Sequence, residues 1–190
     1  SNFYDHSVGV PMIFAGPGIP RLRRRRRVVS LLDLPATLSD LAGAPELPLQ
    51  SGQSLLPLMR EDLSAPWRDE ALAELIGLGP QYEYPGRMIR RGPWKLMHYE
   101  GHEPLLLNLD EDPGEFEDRA DDPACREVRE YLHDRVRQGW DPEAALRVMR
   151  RSRAGAEVMR AWARALPDAG PSEDCWDAPE GCNTWPENGS

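Results

Sequence analysis

The stretch Asn2-Phe3-Tyr4-Asp5-His6-Ser7-Val8-Gly9-Val10-Pro11-Met12-Ile13-Phe14-Ala15-Gly16-Pro17-Gly18 decides how this chain is read. A polar loop passes straight into Val10 to Ala15, which is apolar throughout and bounded by glycine and proline. Such a run reads as a strand buried on both faces of a mostly parallel sheet. A sheet cannot consist of one strand, and no helix or hairpin partner precedes it. The expectation is the last part of a larger α/β protein, with much of its chemistry upstream of Ser1.

After the apolar run, Arg21 to Arg27 places six arginines around Leu22. It could serve a polyanion, but a solvated loop offsetting an acidic protein is the favoured reading. A helix follows, with Asp33 as cap, Pro35 in the first turn, Leu38, Leu41 and Ala42 on one face, and Gly43 as its end. Residues 44–68 are proline-rich and aperiodic, a connection between domains. Ala71 to Ile76, Arg87 to Arg91, Trp94 to Tyr99 and Leu105 to Leu109 are strand candidates, with a tight turn at Arg91-Gly92-Pro93. A helix capped by Asp122, with Pro123 first, then buries Cys125, Val128, Leu132 and Val136 at spacings of three and four. Asp141-Pro142-Glu143 opens another, whose apolar stripe of Ala145, Leu146, Met149, Val158, Met159 and Trp162 is interrupted. Trp176 and Trp185 lie in the aperiodic end, either docked on another surface or incidental to a loose tail.

Composition narrows the function classes. The chain has 190 residues, 40% of them hydrophobic, with 19 prolines and a net charge of -9; mean hydropathy is -0.61. That charge opposes general nucleic-acid binding, and no apolar run is long enough to cross a bilayer. Cys125, Cys175 and Cys182 form no framework, which leans towards a reducing, cytoplasmic setting without fixing one.

The same opening residues resemble type I sulfatases of the alkaline phosphatase superfamily. Tyr4-Asp5 resembles the family's Tyr-acid pair, Val8-Gly9-Val10-Pro11 its strand start, and Gly16-Pro17-Gly18 its turn. Val28 to Leu38 resembles Val-Ser-Leu-x-Asp-Leu-x-Pro-Thr-Leu, and Ser51 to Leu58 resembles Gly-x-Ser-Leu-x-Pro-Leu. Met88 to Leu96 followed by Leu107 to Glu115 resembles the closing strands and acidic turn. The run Trp140-Asp141-Pro142-Glu143 and the Arg-rich helix after it look most like choline-sulfatase-like members.

The resemblance implies the end of the sulfatase α/β domain over 1–45, a connection over 46–68, a small α+β domain with a four-stranded antiparallel sheet over 69–140, and a helical and irregular tail over 141–190. It implies hydrolysis of sulfate monoesters by a formylglycine nucleophile and a divalent metal, calcium or similar. Both would lie upstream of this chain, which alone is expected to be inactive and to bind no metal. A metal and a ring of cations suit a transition state with spread negative charge. The implied partners are the N-terminal catalytic segment and, through the tail, further copies of the chain. The alternatives are a phosphoesterase or phosphonate monoester hydrolase of the same superfamily, and a noncatalytic assembly module from a truncated or split gene.

No catalytic residue or metal ligand is expected within the chain. Asp5 and His6 are the nearest candidates, as supports to the reacting centre rather than participants. A loop-capping Asp5 and a surface His6 are the competing reading. Gly9 departs from the arginine many members carry. Ser64-Ala65-Pro66-Trp67-Arg68 fits the formylglycine pattern Ser-x-Pro-x-Arg but lies in the connection, so it is set aside. His98 and His102 fall in a strand and turn rather than on a helix face. The cluster Asp110, Glu111, Asp112, Glu115, Glu117 and Asp118 lacks calcium-loop spacing and reads as a solvated turn.

Overall fold

The computed structural model describes residues 2–21, 23–62, 64–76 and 84–165. Element order is α1 (Asp5–Val8), α2 (Asp33–Leu41), α3 (Leu56–Met59), β1 (Glu70–Leu75), β2 (Gly86–Arg91), β3 (Trp94–Tyr99), β4 (Leu105–Asn108), α4 (Arg126–Arg137) and α5 (Pro142–Ala165). The described residues up to Leu146 form one compact unit, and those from Arg147 belong to a second. The second is helical as far as Ala165. No described helix is long and apolar enough to cross a membrane. Trp176, Trp185, Cys175 and Cys182 lie outside the described residues.

The four strands form an antiparallel meander, β1-β2-β3-β4. Alternation divides its side chains between two faces. On one, Ile89, Leu96 and Leu106 meet Leu132 and Val136 of α4. On the other, Met88, Met97 and Leu107 meet Phe3 from the start of the chain. The sheet is therefore covered on both sides, which explains why β3 reads as a nearly continuous buried run. Asp122 caps a 3₁₀ turn at Pro123–Cys125 by accepting from the Ala124 N–H at 2.9 Å, and that turn runs on into α4. Leu132 and Val136 are fully buried, each contributing about 1.5–3 kcal/mol of transfer free energy.

Three local expectations differ from the structure. Val10 to Ala15 forms no strand and joins no ladder, with Val10 56% and Ile13 89% exposed. Among the described residues no strand lies beside it, so its backbone has nothing to pair with. Helix α2 forms and ends at Gly43, whose φ of +61° suits glycine. Its buried residues, however, are Asp33, Ala36 and Thr37, while Leu38 and Leu41 face outward. Leu32 holds the N-cap position and no side chain caps the first turn, so Asp33 opens the helix rather than capping it. Fully buried, it accepts from the Ser30 and Gln53 N–H groups at 2.7 and 2.9 Å and pairs with Arg68 at 2.5 Å, tying the connection to the helix.

Phe3 reaches the sheet through a gap at Gly86. A Cβ there would stand 2.7 Å from Tyr99 Cδ1 and 3.0 Å from Phe3 Cε2. Gly86→Ala is expected to lower stability by about 1–3 kcal/mol through overpacking, read as a reduced urea midpoint; an unchanged midpoint would mean Phe3 does not pack there.

Candidate functional site

The residues that meet around Asp5 come from three distant parts of the chain. Arg90 on β2 and Lys95 on β3 are cross-strand partners on the Phe3 face of the sheet. Lys95 is 0% exposed. Its ammonium donates to the Phe3 carbonyl at 3.1 Å, to Asp5 Oδ1, and to Glu115 Oε1 at 2.5 Å. An ammonium has three N–H donors, and here each has an acceptor. Glu115 Oε2 in turn accepts from the Asp5 backbone N–H at 2.6 Å, and Arg90 Nη1 donates to Asp5 Oδ2 at 3.2 Å. Two cations and two carboxylates neutralise one another, which is what allows charge to sit beneath Phe3.

Glu115 is delivered by a turn after β4. Asp112 organises that turn, accepting from the Phe116 and Glu117 N–H groups at 2.6 and 2.8 Å. Glu115 itself has φ +61°, a left-handed conformation that a side chain adopts at a cost. The acidic turn is thus only partly solvated: the Glu115 side chain is 5% exposed.

Of the two candidates named from sequence, Asp5 lies in this cluster. His6 is exposed and stacks on Tyr4, ring centroids 5.9 Å apart and nearly parallel. Lys95, Arg90 and Glu115 were not anticipated, though a signal was available. Lys95 is the only lysine in the chain, every other basic residue apart from histidine being arginine, and it shares a strand face with Met97 and Tyr99. A lone lysine on an apolar face announces a buried ion pair.

The remaining motifs fall elsewhere. Ser64 Oγ donates to Asp62 at 2.6 Å, and Arg68 of the same run turns to Asp33, so that run assembles nothing around the serine. Within the arginine run, Arg23 and Arg25 pair with Glu61 and Arg27 with Asp69. His102 stands edge-on to Tyr84. His98 points to the other face of the sheet, where it meets His133 of α4 and Trp140 edge-on at 5.1 and 5.6 Å. It is 6% exposed, and neither ring nitrogen is hydrogen-bonded; the Glu100 carboxylate stands 3.5 Å off.

The order of these elements has known counterparts. The family model described as N-sulphoglucosamine sulphohydrolase, C-terminal, matches residues 2–141. The chain belongs to this sulfatase C-terminal family. It is 34% identical over 158 residues to a Delta 4,5-hexuronate-2-O-sulfatase of Bacteroides thetaiotaomicron, covering 77% of this chain and 32% of that one. Choline-sulfatase of Rhizobium meliloti is 32% identical over 165 residues, 83% of this chain and 31% of that one. A solved 2-O GAG sulfatase superimposes with a TM-score of 0.57 at 32% identity, covering 65% of this chain and 28% of that one. The chain spans about a third of the length of these two curated relatives.

The described residues of this sulfatase domain do not fit the metal and nucleophile that sulfatase chemistry implies. Among them no three His, Cys, Asp or Glu side chains converge as a metal site. Asp5 and Glu115, which could have begun one, are already bound to Lys95 and Arg90. No chemical step is therefore assigned to them.

Two measurements probe this domain. Lys95→Met leaves the Glu115 carboxylate buried without its cation and is expected to cost about 3 kcal/mol in urea unfolding; a loss below about 1 kcal/mol would mean that the charges are solvated. At His98, burial and then the nearby His133 and Arg137 hold the pKa below the ordinary 6.5, outweighing Glu100. A histidine whose folded pKa is depressed stays neutral in the fold while the unfolded chain takes up the proton, so this stability is lost as pH falls below about 6.5. His98→Gln is expected to flatten the drop in urea midpoint between about pH 7.5 and about pH 5; a drop as steep as wild type would refute it.

Proposed function

We propose that this chain is the C-terminal portion of an enzyme that hydrolyses sulfate monoesters, with its formylglycine nucleophile and divalent metal, calcium or similar, held by other residues. The match over residues 2–141 carries this reading. It is supported by relatives named for sulfate esters of an unsaturated hexuronate and of choline. Within such an enzyme the turn Tyr4-Asp5-His6 borders the reacting centre. Asp5 serves there by holding position, because both its oxygens accept from buried or half-buried cations. His6, stacked on Tyr4 and open to solvent, is the group on this turn left to face substrate or a neighbouring loop.

The partner of this chain is then the N-terminal catalytic segment. Val10, Ile13, Leu31, Leu32, Leu38 and Leu41 are all at least half exposed in this structure, and they supply an apolar surface for that segment to cover. The tail is assigned to contact with a second copy, using Val158, Met159 and Trp162 of α5, each exposed.

The test compares the natural polypeptide that carries this chain with residues 1–190 alone, on an aryl sulfate, choline sulfate and an aryl phosphonate monoester. The longer protein is expected to cleave a sulfate ester and residues 1–190 to cleave none. Turnover by residues 1–190 unaided, or a preference of the longer protein for the phosphonate, would contradict the proposal.

A further inference from the structure

The ion cluster beneath Phe3 is more elaborate than stability requires. A buried lysine with two carboxylates gains little over an apolar side chain of similar size, because desolvation offsets most of the attraction. In this sheet apolar residues at positions 95 and 115 together would simply extend the core made by Met88, Met97 and Leu107. What the charges supply instead is fixed geometry. The turn Phe3-Tyr4-Asp5 is held at the Phe3 carbonyl by Lys95, at the Asp5 N–H by Glu115, and at both Asp5 carboxylate oxygens by Lys95 and Arg90. The two backbone bonds flank Tyr4 and the two side-chain bonds hold Asp5, so consecutive residues of the turn are fixed from the sheet. Glu115 completes this hold from a left-handed backbone conformation, which persists where surrounding structure over-determines it.

We propose that Lys95 is a positioning residue of the sulfatase: through Asp5 and the Phe3 carbonyl it sets the placement of the Tyr4-Asp5-His6 turn for catalysis. This rests on the functional reading above, in which that turn borders the reacting centre. Lys95 touches no substrate in this scheme. It carries the rigidity of the β2–β3 hairpin into the turn, and Glu115 completes the link from the β4 side. Errors of an ångström in such placement cost rate rather than binding.

The test separates fold from rate. In the natural polypeptide that carries this chain, Lys95→Met alone leaves two carboxylates facing each other and is expected to weaken the fold. Adding Glu115→Gln removes that repulsion and leaves Asp5 paired with Arg90, so K95M/E115Q is expected to regain the wild-type melting temperature to within a few degrees. Its kcat on a sulfate ester should still fall at least about tenfold with KM within about threefold, the pattern of an interaction that matters in the transition state. Hydrogen exchange at the Tyr4 to Gly9 amides should rise at least about tenfold while the β2 and β3 amides keep their protection. A refolded double variant with wild-type kcat and wild-type exchange would overturn the proposal. So would a loss confined to KM. A wild type that cleaves no sulfate ester sinks the functional reading instead, and the exchange measurement then decides alone whether Lys95 positions the turn.

Discussion

Placing one ammonium group in the interior of a small antiparallel sheet constrains everything around it. Moving a lysine from water into protein costs several kcal/mol unless its charge is matched and each of its donors has an acceptor. Lys95 meets both conditions only because three segments converge: the turn at Phe3–Asp5, the strand pair β2–β3, and the acidic turn that presents Glu115. A guanidinium, planar and broader, would not fill the same compact site with three bonds. A chain that uses arginine for all its other guanidinium or ammonium charges keeps its single lysine here.

The rest of the described unit follows from a sheet that must be covered on both faces. One face belongs to α4, whose Leu132 and Val136 are fully buried against Ile89, Leu96 and Leu106. The other belongs to Phe3, admitted by the bare backbone of Gly86 and fixed by the ion cluster beside it. The start of the chain is thereby tied to the sheet, residue 3 to strands that begin more than eighty residues later. Asp33 repeats the device on a smaller scale, fastening the long connection to α2 through Ser30, Gln53 and Arg68.

Most of the small domain was legible from the chain. Four strands, the turn at Arg91-Gly92-Pro93 and the helix after Asp122 are local patterns, in which periodicity and turn chemistry agree. Val10 to Ala15 reads as a strand from composition, but strand structure needs a partner, and none of the described residues offers one. Leu38 and Leu41 share a face of α2 as their spacing indicates, but that face is exposed, because what α2 buries is decided by the contacts of Asp33 and Thr37. The site was only half visible. Asp5 could be named from its neighbours in sequence, whereas its partners stand 85, 90 and 110 residues away, and nothing local connects them.

The most direct test is chemical access to Lys95. Reductive methylation at neutral pH, read by peptide mass spectrometry, modifies lysines that solvent can reach. With its ammonium buried beneath Phe3, Lys95 should stay unmodified in the folded protein and become dimethylated once urea unfolds it. Full modification of Lys95 under native conditions would show that the ammonium faces water, and the ion cluster could not then hold the turn in place.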